Sequence, residues 1–280
     1  MTGTAKTTPL SQNARSRKVF FVLPSYNEAL SLPRLLPRIK AAMEEQGLKY
    51  EAIVVNDGSA DDTLKVAQHQ ATLMPMTIVD HGRNRGLGEA IKSGLLKASQ
   101  LARPEDVIVT MDADNTHPPE LVGSMVERIV EGYELVVASR FVSGGQQVGL
   151  AAHRRMLSLG AGSLLKVVFP VGGVSDYSCG FRAYSGAIIR RALDVYGDKF
   201  IEEQGFSCFV DLLLKLRRLG VRACQVPLVL RYDFKEGRSK MPIKRTILRY
   251  VRLIGKNLTR ADSRPFRRLP TRQVLGVTAL

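Results

Sequence analysis

Asp106-Val107-Ile108-Val109-Thr110-Met111 runs straight into Asp112-Ala113-Asp114-Asn115-Thr116-His117-Pro118-Pro119. The first six residues form a short, nearly unbroken apolar run, the pattern of a strand covered on both faces. The Asp-x-Asp that ends it puts hard oxygen ligands at a strand's carboxyl end, where Mg²⁺ or Mn²⁺ and a diphosphate can be held together. Alone, two such acids read as readily as turn-formers or a helix cap, so the neighbouring segments decide.

Working outward, Lys18 to Leu23 is a second apolar run halted at Pro24, and Glu51 to Val55 is a third, halted at Asn56-Asp57-Gly58-Ser59. Amphipathic stretches at 31–46, 62–72 and 87–100 predict helices between them, with a strand at 76–80. Short apolar strands alternating with helices predict an α/β fold, a parallel sheet covered on both sides. Ligands of such sheets bind beyond the carboxyl ends of the strands, so residues 24–28, 56–59 and 112–115 should converge on one crevice. Further on, the pattern predicts helices at 119–131, 154–168 and 207–219, strands at 134–139 and 222–230, and a polar crossing at 176–182.

The 280 residues are 45% hydrophobic, enough for a sizeable core. Cys179, Cys208 and Cys224 are scattered without a Cys-x-x-Cys pair, which argues for buried thiols rather than a disulfide framework or zinc site. No apolar stretch is long and clean enough to span a bilayer, and residues 1–16 lack the apolar core of a secretory signal. The net charge of +15 is concentrated: residues 231–272 carry fourteen Lys or Arg against three acids. That is the pattern of one end docking on an anionic surface.

Pro24-Ser25-Tyr26-Asn27-Glu28, Asn56-Asp57-Gly58-Ser59-Ala60-Asp61-Asp62-Thr63 and the Asp112–Pro119 segment, taken in order, resemble the motifs of family 2 glycosyltransferases of the GT-A fold. The likeness is strongest to the branch of dolichyl- and polyprenyl-phosphate sugar synthases. It implies a Rossmann-like, mostly parallel sheet with a basic amphipathic extension: a flexible leader at 1–17, the GT-A domain at 18–230, and an acceptor loop, basic helix and tail at 231–280. It further implies that Pro24, Tyr26, Glu28, Asp57 and Gly86 bind the nucleotide-sugar, together with Asp112 and Asp114, which also serve the Mg²⁺ or Mn²⁺. Asn115 and Thr116 stand where Leu and Gln are usual, and Asn56 where an Asp is.

On the acceptor side, Ser139-Arg140-Phe141, Ser178 to Tyr184 and Gly237-Arg238-Ser239-Lys240 resemble the family's cationic motifs. Arg140, Ser178, Arg182, Arg231, Ser239 and Lys240 are the expected acceptor-phosphate ligands, and Asp114, Arg140 and Lys240 the expected catalytic groups. A phosphate monoester is already anionic at neutral pH and needs no base before it attacks the sugar. The resemblance therefore implies an inverting transfer of a hexose, from GDP-mannose or a UDP-sugar, to a polyprenyl phosphate. Should the acceptor be a sugar hydroxyl or a small molecule, Asp176, Glu202 and Glu203 are the candidate bases.

Ile243, Ile247, Tyr250, Val251, Ile254 and Leu258 recur at helical spacing opposite Lys244, Arg245, Arg249, Arg252 and Lys256. The expectation is an amphipathic helix over 242–260 lying on an anionic membrane, in a cytoplasmic protein peripheral to the membrane's inner face. The alternative is a helix packed on the body. A basic nucleic-acid-binding protein would interleave stacking aromatics with the cations. The tail offers Tyr232, Phe234, Tyr250 and Phe266 and leaves the strand-end acids unexplained, so no nucleic acid is expected.

Overall fold

Residues 19–23, 52–55, 107–110 and 135–138 are all at most 1% exposed. Only strands covered on both faces bury every side chain in this way. The computed structural model describes residues 9–149, 165–234, 249–250 and 252–257. In chain order its first elements are α1 (Gln12–Arg15), β1 (Lys18–Ser25), α2 (Leu32–Gln46), β2 (Lys49–Asn56), α3 (Thr63–Gln70), β3 (Met76–Asp80), α4 (Leu87–Leu101), β4 (Val107–Thr110), α5 (Val122–Val130) and β5 (Leu135–Ser139). They are followed by β6 (Gln146–Val148), β7 (Arg182–Ser185), α6 (Gly186–Tyr196), α7 (Ser207–Arg218), β8 (Ala223–Pro227) and β9 (Val229–Arg231).

The main sheet has the order β3-β2-β1-β4-β7-β5-β8. All its pairings are parallel except those of β7, which lies antiparallel between β4 and β5. The carboxyl ends of β1, β2, β4 and β5 therefore lie along one edge, and the chain enters β7 at that same edge. β6 and β9 form a separate two-stranded parallel sheet.

Two differences from the sequence reading concern the amino-terminal segment and the last strand. Residues 12–15, expected to belong to a flexible leader, form α1, whose Ala14 is fully buried, and the capping Ser11 bonds through its hydroxyl to Glu127 of α5 at 2.9 Å. The strand expected over 222–230 is divided between two sheets as β8 and β9. Most of the helix expected at 154–168 lies outside the described residues, as do residues 1–8 and 261–280.

One carboxylate ties the opposite ends of β1 and β4 together. Asp106, 2% exposed, accepts from the Lys18 amide at 3.0 Å and from the Arg103 amide and guanidinium at 2.8–3.2 Å. Burial pushes its carboxyl up, but the Arg103 bonds and the two amides outweigh burial and hold it below the ordinary value. A carboxylate depressed in the folded state contributes stability that is present above its unfolded pKa of about 4 and is lost as pH falls through the folded value. Asp106→Asn should therefore cost ~2 kcal/mol in urea unfolding at pH 7, with the gap to wild type closing toward pH 3. A pH-independent gap would remove this carboxylate from the acid response.

Candidate active site

The first strand-end loop is held by the second. Asn27 adopts a left-handed conformation with φ 53°, which Asn tolerates better than most residues. Its amide donates to Ser59 Oγ at 3.0 Å and its side chain accepts from the Ala60 amide at 2.8 Å. The Glu28 amide donates to Thr63 Oγ1 at 2.8 Å, the Ala29 amide to Asp61 at 3.2 Å, and Ser31 Oγ to Glu28 Oε2 at 2.8 Å. Ser59, Asp61 and Thr63 therefore act as struts that set the backbone carrying Tyr26 and Glu28. Tyr26 is 38% exposed at the mouth of the edge.

Asp57 follows β2 directly and is 3% exposed. Its carboxylate accepts from His81 Nδ1 at 2.8 Å, the Arg85 amide at 2.9 Å and the Gly86 amide at 2.8 Å. The loop closes this tightly because Gly58 has φ +65° and no side chain: a Cβ there would lie 2.1 Å from the Arg83 carbonyl carbon. Gly88, in the first turn of α4, allows a similarly close approach, since a Cβ there would meet the Glu203 carbonyl oxygen at 2.3 Å. The Gly86 amide, expected to serve the nucleotide directly, donates to Asp57 in this structure.

On the other side of β1, Asp114 is 9% exposed, and its Oδ1 accepts from the Thr116 amide at 3.2 Å and hydroxyl at 2.6 Å. Asn115, with φ 63°, turns the loop and accepts from Arg38 at 2.7 Å. The Asp112 amide donates to His117 Nδ1 at 3.2 Å, and the His117 ring stacks on Phe181 with centroids 5.0 Å apart. Neighbouring strands are spaced by about 4.8 Å, so Asp57 and the Asp112–Asp114 loop flank the end of β1 about 10 Å apart. Among the described residues no group of three or more His, Cys, Asp or Glu gathers to hold a metal. Two carboxylates are a donor set that fits Mg²⁺ or Mn²⁺, which seldom take an all-protein cage and complete their shell with phosphate oxygens and water.

The acceptor-side residues meet the same edge, but differently from expectation. Arg140 follows β5 and grips Asp176 through Nε and Nη2, each at 2.7 Å, while Nη2 also donates to Ser178 Oγ at 2.8 Å. Asp176 is fully buried. Burial alone would push the Arg140 guanidinium down, but the bonds to Asp176 override it and hold it raised. Arg140 and Ser178 are therefore already committed to each other and to Asp176, leaving Arg140 Nη1 without a hydrogen bond among the described residues.

Arg182 is a correction. It is 0% exposed and donates to the carbonyls of Cys179, Phe209 and Tyr177 at 2.7–2.8 Å, so it braces the core and does not reach a ligand. Arg231 pairs with Asp233 at 2.6 Å, while its amide donates to the Thr116 carbonyl at 3.4 Å. Ser239 and Lys240 lie outside the described residues.

Of the candidate bases, Asp176 is engaged by Arg140, and Glu202 is shared between Lys215 at 3.1 Å and Lys256 at 3.2 Å. Glu203 is pushed up, first by burial and then by Asp211. The cysteines are free, and burial pushes Cys179 up to about 12.

Where it is described, the basic helix follows the alternative of packing on the body. Tyr250 is 9% and Leu253 0% exposed, both in the core, and Ile254 packs against it. Arg249 donates to the Gln204 carbonyl at 2.9 Å, and Arg218 to Asn257 at 2.9 Å. Tyr250, Leu253 and Ile254 thus face protein. The remainder of 242–260 lies outside the described residues. Among the described residues no helix is long and apolar enough to cross a membrane.

His81 was not singled out from sequence, since nothing local marks a histidine at the end of β3 as facing the end of β2. The roles of Ser59, Asp61 and Thr63 were hidden inside a motif read for its ligands.

Comparison with known proteins agrees with this geometry. The description Glycosyl transferase family 2 matches residues 20–194. An undecaprenyl-phosphate mannosyltransferase of Micrococcus luteus is 36% identical over 80% of this chain and 87% of its own length. A dolichol-phosphate mannosyltransferase of Pyrococcus furiosus is 32% identical over 85% of this chain, which spans 62% of that relative's length. Among solved structures, glucosyl-3-phosphoglycerate synthase of Mycobacterium tuberculosis, in complex with Mn²⁺, UDP and glucosyl-3-phosphoglycerate, superposes with a TM-score of 0.62. That pair is 23% identical, covering 88% of this chain and 81% of the other, a likeness of fold. From the matched family and the two relatives, the chain belongs to glycosyl transferase family 2.

Proposed function

We propose that the protein transfers a hexose from a nucleoside diphosphate sugar to the phosphate of a polyprenyl phosphate, in one inverting displacement. The observation that carries this reading is the state of Asp176: it is 0% exposed and both its oxygens are bound by Arg140, so it is not open to a hydroxyl acceptor. A phosphate acceptor needs no such base. The two relatives carry names for transfer to lipid phosphates, which supports the reading.

In this reading Asp57 accepts from the nucleobase, Glu28 from the ribose, and Tyr26 and Pro24 line the nucleoside. Asp112 and Asp114 would hold Mg²⁺ or Mn²⁺, which when bound neutralises charge on the departing diphosphate. Arg140 holds the β5 end and the 176–181 loop in place and offers Nη1 to the acceptor phosphate, with Lys240 and Ser239 as further ligands and Arg231 at the rim. The enzyme's contribution is chiefly alignment of acceptor oxygen and anomeric carbon. Contact with an anionic lipid surface at the cytoplasmic face falls to the outward cations of the basic segment, such as the exposed Arg252.

The test is incubation with Mn²⁺ or Mg²⁺, a panel of GDP- and UDP-sugars, and either polyprenyl phosphate or sugar hydroxyl acceptors. The expected product is an acid-labile glycosyl phospholipid from one donor. A product formed only on hydroxyl acceptors would overturn the reading and make Glu203, the carboxyl pushed up by burial, the base to examine.

A further inference from the structure

Asp57 has four lone-pair positions as an ionised carboxylate, and three are taken within the protein. Oδ1 accepts from His81 Nδ1 and the Arg85 amide, and Oδ2 from the Gly86 amide. One position remains, on Oδ2. His81 is itself fixed at three points. Its backbone amide donates to the Asn56 carbonyl at 3.0 Å, its Nδ1 meets Asp57, and its Nε2 lies 2.9 Å from Ser93 Oγ on α4. The side chain is 3% exposed, so water does not compete for either nitrogen. Since the carboxylate only accepts, Nδ1 carries the hydrogen, and in the neutral ring Nε2 accepts from the Ser93 hydroxyl.

The two amides arrive from the loop that opens α4, whereas His81 arrives from the end of β3. His81 is therefore the side chain that joins three separate segments, the ends of β2 and β3 and the first half of α4, at the carboxylate. Released from it, Asp57 would be held by the two loop amides alone, one on each oxygen, with a lone pair of Oδ1 open to water, and the direction of its remaining lone pair would be less firmly set.

We propose that His81, bridging Asp57 and Ser93, is a positioning residue for the donor, aiming the one remaining acceptor of Asp57 at a nucleobase ring N–H. The inference rests on the reading that Asp57 receives the base. The chemistry it recognises is one ring N–H, which uracil supplies from N3 and guanine from N1. Because His81 acts through Asp57, its removal affects nucleotide affinity and leaves the chemical step largely alone.

The experiment titrates UDP and GDP separately, with Mn²⁺, into the full chain and its His81→Ala, His81→Asn, Ser93→Ala and Asp57→Ala variants, and records the melting temperature of each. His81→Ala should weaken whichever nucleotide binds by about tenfold or more, the scale of one hydrogen bond to a charged group. The KM for the donor should rise in parallel, with kcat and the acceptor KM within about threefold of wild type. His81→Asn, whose amide N–H can take the place of Nδ1–H, should recover most of the affinity, and Ser93→Ala should lose only a few-fold.

His81→Ala binding like wild type while Asp57→Ala loses binding would sink the role of His81 and leave Asp57 in place. Wild-type binding by both would sink the two together. If His81→Ala does not fold, His81→Asn and Ser93→Ala decide: no recovery by the first, or no loss by the second, overturns the proposal.

Discussion

Asp114→Asn should lower glycosyl transfer about a thousand-fold, equal to ~4 kcal/mol of barrier, while leaving the melting temperature unchanged. Asn is chosen because Asp114 shapes its own turn and, in the proposed function, also holds the metal. Its Oδ1 accepts from the Thr116 amide and from the Thr116 hydroxyl at 2.6 Å, which shapes the turn. The Asn carbonyl can keep both bonds. What it cannot supply is the negative charge that the metal site needs. Alanine would remove both at once and confuse the turn with the chemistry. Mn²⁺ titration in the presence of UDP or GDP supplies a second reading, since Asp114→Asn should weaken the nucleotide-dependent uptake of Mn²⁺ as well as turnover. Transfer within tenfold of wild type, or unchanged Mn²⁺ uptake, would remove Asp114 from the site.

Thr116 illustrates what could and could not be read in advance. The sequence shows it standing where a Gln is usual, and a hydroxyl there invites comparison with a ligand. In the structure it is 4% exposed and donates to Asp114. Whether a side chain faces a ligand or its neighbour depends on the turn, and the turn depends on the left-handed Asn115.

The parallel strands of the sheet were legible because a strand buried on both faces leaves a continuous apolar run. β1, β2, β4 and β5 appear close to where those runs lie, and β3, a partly buried edge strand, also lies where its short apolar stretch was read. β7 was not legible. It has four residues, begins with an arginine, and gains its place only by antiparallel pairing with β4 and β5, strands some forty or more residues away in the chain. α6 was missed for a different reason. Its signals, the Ser185 cap bonded to the Ile188 amide and the buried Ile188, Ile189 and Ala192, are ordinary ones hidden beside a motif being read for function. The basic helix shows the limit of periodicity: spacing reveals an apolar side, but not whether protein or lipid covers it. Tyr250 and Leu253 are covered by protein.

Arg182→Lys should cost ~3–5 kcal/mol of stability, about 10 °C in melting temperature for a chain of this size. Read from sequence, Arg182 belongs to a cationic motif, and Lys would keep its charge near a phosphate. Its surroundings say otherwise. The guanidinium is wholly enclosed, lies 5.5 Å from the Phe209 ring centroid, and has no carboxylate partner among the described residues. Its Nε, Nη1 and Nη2 each donate to a different carbonyl, two in the 176–181 loop and one at Phe209 in α7. A buried charge without a counter-ion persists only where its donors are matched, and a planar fork matches three fixed carbonyls as a single ammonium on a flexible stem does not. Lysine would leave carbonyls unsatisfied and a cation poorly solvated. The damage would then spread along the loop, since Asp176 and Ser178 orient Arg140 and Phe181 stacks on His117 beside Asp112. The expected result is a fall in melting temperature with loss of transfer that saturating acceptor does not restore. Wild-type stability in Arg182→Lys, with only the acceptor KM raised, would return this arginine to the phosphate site.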